Sequence, residues 1–275
     1  MSNLNGFNPD TDQVSQHEML ALDNWVVDRA LLLQKEIIEA YRDFQFHLIY
    51  QKVFNFCVVD LGGFYLDIIK DRQYTTQENS LARRSCQTAM YHIAEAMVRW
   101  LAPVLTFTAE EIWKEIPGEK GESVFMATWY EGLSELSDSQ TLGRDYWSKL
   151  LTVRSAVSKQ LEQARKDGNI GSSLAAELDI YCSAEWMKAF EQLGDELRFV
   201  LITSYVRLHP LAEKPAVAVD TDVEGLSVRV SASEHAKCVR CWHFREDVGL
   251  HEDHPELCGR CIDNVDGDGE NRQFA

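Results

Sequence analysis

The chain has 275 residues, 45 % of them hydrophobic, and its 27 Lys and Arg against 44 Asp and Glu give a formal net charge of -17. That length holds one large domain, or two ordinary ones plus a small module, and the apolar fraction is ample for a buried core. The acidic balance argues against a free-standing nucleic-acid binder, whose affinity rests on phosphate contacts, but local basic patches survive it because charges beyond about 8 Å are largely screened. No apolar run approaches the roughly 18 residues of a membrane span. The opening Met1-Ser2-Asn3-Leu4-Asn5-Gly6-Phe7 has neither the positive charge nor the apolar run of a signal peptide. A soluble, cytoplasmic protein with no membrane partner is expected.

Residues 1–17 read as a linker or leader, turn-rich at Asn5-Gly6-Phe7-Asn8-Pro9 and without a period. From Glu18 to about Tyr41, the residues Leu22, Trp25, Val26, Leu33, Ile37 and Tyr41 fall at helical spacing. A second helical run covers about 45–71, with Phe46, Ile49, Tyr50, Val53, Phe54, Cys57, Leu61, Phe64 and Ile68 on one broad face. Gly62-Gly63 interrupts it and suggests close helix approach or a bend. A third helix is expected from Ser80 to Leu101, with Met90, Ile93, Met97 and Trp100 inward and Pro103 ending it. Thr108-Ala109-Glu110-Glu111 reads as a capping box opening a short helix through Ile116, and Pro117-Gly118 stops that helix. These elements make a helical bundle assigned to 18–130.

Residues 117–140 are loop-rich, and the acidic, turn-prone Glu131–Ser139 marks a candidate boundary. Leu142–Asp167 is a long amphipathic helix with Gly168 as its C′ residue. Strands are expected over Leu174–Cys182, Val200–Leu208 and Leu226–Val230, with a short helix over Glu185–Leu193. This makes a small α+β subdomain over 141–235, so the fold class is mainly α with an α+β part. Residues 236–275 hold too few apolar residues to fold around a core of their own.

Of seven cysteines, Cys57, Cys86 and Cys182 stand singly in apolar patterns and read as buried packing residues. The other four form Cys238-x-x-Cys241, sixteen residues, then Cys258-x-x-Cys261. Two such knuckles bring four thiolates together tetrahedrally, and the spacing suits one structural zinc ion with no open position for water. A thioredoxin-like redox pair needs one Cys-x-x-Cys beside a βαβ unit; iron is the other metal that four sulfurs admit. Metal binding would supply most of the module's folding free energy, on the order of 10 kcal/mol. Trp242 follows the first knuckle, Arg240 lies inside it and Arg260 inside the second. An aromatic flanked by guanidinium groups at an exposed tip suits stacking on an unpaired base; packing Trp242 against the rest of the protein is the alternative. His243, His251 and His254 are expected at the surface, because the cysteines already fill the metal's sphere.

The end of the chain, Lys237-Cys238-Val239-Arg240-Cys241-Trp242-His243 through Cys258-Gly259-Arg260-Cys261 to Glu270, resembles the C-terminus of bacterial isoleucyl-tRNA synthetases. Leu22-Asp23-Asn24-Trp25 with Arg29, Phe56–Asp67 with Lys70-Asp71-Arg72-Gln73-Tyr74, Trp100–Leu105 and Glu110-Glu111-Ile112-Trp113 resemble the anticodon-binding bundle of the same family. The resemblance implies a helical anticodon-binding bundle, an α+β junction and a four-cysteine zinc ribbon over 236–275 that together recognise isoleucine tRNA. It also implies a monomeric parent enzyme that charges isoleucine with ATP. The family's His-x-Gly-His and Lys-Met-Ser-Lys-Ser motifs do not occur. Residues 1–17 therefore lead out of an absent catalytic core, no catalytic residue is expected, and the chain alone should not form aminoacyl-adenylate. Candidate RNA contacts are Trp242, Arg240, Arg260, Arg29 and Arg154. Two other classes share part of the pattern: a zinc-dependent interaction module, and a formamidopyrimidine-type DNA glycosylase, whose N-terminal Pro-Glu this chain lacks.

Overall fold

Residues 2–136 and 142–275 are described by the structure, a computed structural model. They divide into two compact units, Met1–Gly143 with Asn271–Gln273, and Arg144–Glu270 with Phe274–Ala275. The stretch at 137–141, which carries the end of the expected acidic boundary and the start of the α+β segment, lies outside the described residues.

In the first unit, α1 (Ala21–Arg42) buries Leu22, Trp25, Val26, Leu33 and Ile37 along the expected face. α2 (Phe46–Asn55) runs through a π-helical stretch, Phe56–Tyr65, into α3 (Leu66–Thr75). The wide turn is where the two glycines sit. A Cβ on Gly62 would stand 3.1 Å from Cys57 O, and one on Gly63 3.1 Å from Val58 O, so the tightened carbonyls leave little room for a side chain. The apolar face of this run is narrower than expected. Ile49, Val53, Leu61, Phe64 and Ile68 are buried, but Phe46, Tyr50 and Phe54 are exposed and Cys57 is only half-buried.

α4 (Leu81–Leu101) is capped by Ser80, whose hydroxyl accepts the Arg83 N–H at 3.3 Å. Ile93 and Trp100 point inward as expected; Met90 and Met97 are half-buried, and Cys86, Ala89, Ala96 and Val98 take the core positions instead. Small residues there suit close packing of α4 on α1. α5 (Thr106–Glu115) starts two residues before the expected capping box, after Leu105, which makes no side-chain cap. Within it Glu110 accepts from the Ser123 hydroxyl at 2.9 Å and the Val124 N–H at 3.2 Å, tying the helix to the following segment.

The core of the bundle is tied by a buried charge pair. Arg72 Nη1 donates to Asp23 Oδ2 at 2.7 Å and to Ala82 O at 3.1 Å, and both charged side chains are fully buried. The Tyr65 hydroxyl donates to Asp23 Oδ1 at 2.7 Å and the Ser85 hydroxyl to Asp23 Oδ2. Burial beside Asp23 raises the Tyr65 pKa well above its ordinary value. The opening residues join this unit: Leu4 and Phe7 are buried, and Gln73 and Gln87 side chains donate to Asn3 O, each at 3.1 Å.

In the second unit, α6 (Arg144–Lys166) ends at Gly168 in the left-handed region (φ +75°), the expected C′ position. β1 (Ala176–Cys182) is the centre of a mixed sheet of order β2-β1-β4-β3. It pairs parallel with β2 (Tyr205–Pro210) and antiparallel with β4 (Leu226–Ala232), which pairs with the short β3 (Val219–Asp220). Between β1 and β2 lie α7 (Ala184–Glu191) and α8 (Leu197–Leu201). Val200 and Leu201, expected to open a strand, instead end α8, and the strand starts at Tyr205 after Ile202 turns left-handed. The reason is that Leu197–Leu201 is buried on every side, and a short apolar run does not distinguish helix from strand by period. The chain closes with the ribbon strands β5 (Ala236–Lys237) and β6 (Phe244–Arg245) and with α9 (Gly259–Asp266). Among the described residues no helix is long and apolar enough to cross a membrane.

Candidate metal centre

The two ribbon strands set the first knuckle. Cys238 N–H donates to His243 O at 2.9 Å and Trp242 N–H to Cys238 O at 2.9 Å, closing a tight loop around Cys238–Cys241. The second knuckle opens α9, with Cys258 at its N-cap and Cys261 in its first turn. All four cysteines are buried free thiols, and their sulfurs lie within 4.8 Å of one another. Cys241 Sγ and Cys258 Sγ are 3.7 Å apart, near the roughly 3.8 Å edge of a tetrahedron with bonds of about 2.3 Å. Four soft sulfurs with no open position fit one structural zinc ion.

The electrostatics fit a cation as well. The Cys241 thiol is held far below its ordinary value, first by Cys238 and then by Cys258 and Cys261, all hydrogen-bonding towards its thiolate. Cys258 and Cys261 are pushed up by the same crowding, because a second and third thiolate would face the first. A divalent cation at the centre turns that repulsion into attraction, so all four ligate as thiolates.

The ribbon leans on the α+β part of its own unit. Phe244 N–H donates to Ser204 Oγ at 2.7 Å, and the Arg245 guanidinium lies 4.3 Å from the Tyr205 ring centroid. His243, expected at the surface, is buried: its ring meets Phe199 edge-on at 5.7 Å and favours the Cys241 thiolate. It lies beside the sulfur cluster, which the four cysteines form without it. Sequence reasoning missed this burial, although its place two residues after Cys241 was the available signal. His251 is exposed and His254 half-buried against Asp266.

Trp242 is 59 % exposed with φ +67°, a left-handed conformation unusual for a bulky residue. The Lys237 ammonium stands 5.1 Å from its ring centroid, a neighbour that sequence reasoning also missed. Arg240 is partly exposed on the same knuckle. Arg260 departs from the expected exposed tip. Its side chain is only 13 % exposed, donates to Glu270 Oε1 at 3.0 Å and lies 5.2 Å from the Phe199 ring. Arg154 is partly exposed on α6. Arg29 belongs to the other unit, where it pairs with Asp60 at 3.3 Å.

Residues 23–180 match the family described as the anticodon-binding domain of tRNA ligase. The chain belongs to that family. Residues 237–264 match the zinc finger found in FPG and IleRS, the segment containing all four cysteines. Over 275 residues the chain is 60 % identical to the isoleucine–tRNA ligases of Nitrosococcus oceani and Pseudomonas aeruginosa, covering all of this chain and 29 % of each relative. The Marinomonas ligase is 57 % identical over 276 residues, with the same coverage. The chain thus spans under a third of the length of the curated relatives it matches. Its anticodon-binding match takes in the bundle, α6 and most of β1, and so contains Arg29 and Arg154; the zinc-finger match contains Arg240, Trp242 and Arg260.

Proposed function

We propose that this chain is the tRNA-recognition region of an isoleucine–tRNA ligase, organised as a helical bundle over 18–130, an α+β junction over 141–235 and a zinc ribbon over 236–275. The bundle docks the anticodon stem-loop of isoleucine tRNA, and the ribbon presents Trp242 to an unpaired base. The whole enzyme, a cytoplasmic monomer, joins isoleucine to that tRNA at the expense of ATP. The catalytic step belongs to sequence outside this chain, so ATP–pyrophosphate exchange by this chain alone would overturn the assignment.

The observation that carries the ribbon's role is Trp242. Its ring gains little from folding where it stands, yet the knuckle backbone holds it out in a left-handed conformation with the Lys237 ammonium beside it. A base stacked on such a ring is worth roughly 1–3 kcal/mol, and the cation offers a contact to phosphate. Arg240 is the adjoining candidate. Arg29 and Arg154 are second-rank contacts, and Arg260, being paired with Glu270, acts through the ribbon's shape. Trp242→Ala should weaken binding to isoleucine tRNA about tenfold or more while zinc content stays at one per chain. Unaltered affinity in a filter-binding titration would remove the stacking role and favour an interaction module of another kind.

A further inference from the structure

The first knuckle is set by the paired ribbon strands, but the second opens a helix. Cys258 holds the N-cap position of α9 and makes no side-chain hydrogen bond to it, because its sulfur faces the other three cysteines. The first N–H groups of a helix have no partner within the helix and need one from outside. We infer that Asp247, in the loop between β6 and α9, is a positioning residue of the zinc site: its carboxylate caps α9 in place of Cys258 and fixes where Cys258 and Cys261 stand. This rests on the zinc assignment and is independent of the RNA reading.

Three observations point to Asp247. The first is the bond itself. The Gly259 N–H, at the first residue of α9, donates to Asp247 Oδ2 at 2.8 Å. A carboxylate there is also favoured by the positive end of the helix dipole. The Asp247 backbone is held in a turn directly after β6, where Val248 N–H donates to Arg245 O at 3.4 Å and Leu250 N–H to Asp247 O at 3.3 Å. Val248, in the same turn, packs against the four cysteines. Beside Gly259, the Cys258 N–H donates to Cys238 Sγ at 3.4 Å. A shift of this helix start therefore moves one sulfur ligand and a hydrogen bond to another.

The second is the glycine. A Cβ on Gly259 would stand 2.9 Å from Asp247 Oδ2, too close for carbon and oxygen, so a side chain there displaces the carboxylate. The next nearest atoms, Asp247 Cγ and His251 Nε2, stand at 4.0 Å. Alanine suits a helix better than glycine does. Room for Asp247 is what the structure gains from glycine at this position.

The third is the state of the carboxylate. Asp247 Oδ1 is buried and meets no donor among the described residues. A buried acceptor without a partner is unfavourable, so the bond from Oδ2 to Gly259 is what this side chain contributes. The far end of α9 is braced separately: Asn264 Nδ2 donates to Glu270 Oε1 at 2.9 Å and Glu270 N–H to Asn264 Oδ1 at 3.1 Å. Asp247 acts at the cysteine end, which separates its effect on the metal from support of the helix as a whole. Groups that orient metal ligands from outside the coordination sphere commonly change affinity by about ten- to a hundredfold.

The test uses the full 275-residue chain. Zinc affinity is measured by competition with a chromophoric chelator, and the visible bands of cobalt(II) put in place of zinc report the geometry of the four sulfurs. Variants are Asp247→Ala, Asp247→Asn, Gly259→Ala, the double Asp247→Ala with Gly259→Ala and, as a control on helix support, Asn264→Ala. Asp247→Ala should weaken zinc binding about ten- to a hundredfold and shift the cobalt bands. Asp247→Asn should recover most of the affinity, because its amide oxygen still accepts the Gly259 N–H. Gly259→Ala should weaken zinc binding in the native background and leave it unchanged or improved once Asp247 is replaced, since the conflict has then gone. Asn264→Ala should leave the cobalt bands in place at saturating metal. Undiminished zinc affinity with unshifted bands in Asp247→Ala overturns the inference. So does an Asp247→Asn as weak as Asp247→Ala, or a Gly259→Ala that acts equally in both backgrounds. Cobalt bands that shift alike in Asn264→Ala make Asp247 a general brace of the helix and equally overturn it. A wild-type chain that binds no zinc overturns the zinc assignment itself.

Discussion

The bundle buries Trp25, Ile37, Ile49, Phe64 and Trp100 around the Asp23–Arg72 pair, whereas only Val248 and Leu257, both partly buried, pack against the four cysteines of the ribbon among the described residues. The bundle has enough apolar area to offset the entropy of ordering its chain. The ribbon does not, and leaves its fold to the metal and to hydrogen bonds from Phe244 and Arg245 onto Ser204. The same contrast separates their surfaces. A helix places an exposed aromatic wherever the helical period turns outward, as with Tyr50 and Phe54, stacked at 5.8 Å. A metal knuckle places one residue, Trp242, by backbone constraint alone. Exposed side chains therefore have different fragilities in the two regions: those of the ribbon lose their placement with the metal, and those of the bundle only with the core.

Removing the metal should break the comparison most sharply. Cys258→Ser, or a strong chelator, should abolish zinc content and cost the ribbon on the order of 10 kcal/mol. Hydrogen exchange should then show lost protection confined to about 236–270, with α1 and α4 unchanged; loss of protection in the bundle would show that its fold also depends on the metal. The reciprocal change comes next. Asp23→Ala leaves the Arg72 charge buried without its partner and should cost about 3–5 kcal/mol in urea unfolding, with one zinc per chain retained. Adding Arg72→Met to Asp23→Leu should recover part of that loss, because an apolar pair needs no desolvation.

The smallest effect is a pH dependence within the bundle. His92 Nδ1 lies 2.6 Å from the Tyr130 hydroxyl, and burial lowers the His92 pKa from 6.5 to about 4, against an opposing pull from Glu95. The folded state therefore keeps His92 neutral while the unfolded chain takes up a proton below about pH 6.5. Stability from this group is full above that pH and declines as pH falls from about 6.5 to about 4, by at most roughly 3 kcal/mol. His92→Gln should flatten the urea midpoint across that window. An unchanged slope would mean that the acid sensitivity lies elsewhere, with the cysteine thiolates of the ribbon the next group to examine by zinc release.

Some elements were legible in the order of residues because one local rule governs each. The period of Leu22, Trp25, Val26, Leu33 and Ile37 settles α1, Ser80 and Gly168 mark helix ends, and the Cys-x-x-Cys spacing settles the metal site. Where two rules compete, local reading fails. Thr108 has the spacing of a cap, but the helix already opens at Thr106 after Leu105, which leaves Thr108 inside its first turn. Val200 and Leu201 resemble strand because complete burial erases the period that tells helix from strand. Phe46, Tyr50 and Phe54 count with the core by hydrophobicity, which alone does not say that a ring stays in solvent.

The same division holds for the site. Composition and spacing by themselves determined a mainly α chain with a four-cysteine zinc ribbon, since four sulfurs at knuckle spacing have one economical use. Tertiary structure decided which neighbouring residues turn towards the metal centre and which face outward. It buried His243 behind Cys241, turned Arg260 back onto Glu270, left Trp242 in solvent and set Asp247 against Gly259. The physical reason is that ligation is set by a local spacing, whereas exposure and pairing depend on segments that meet only when the chain is folded.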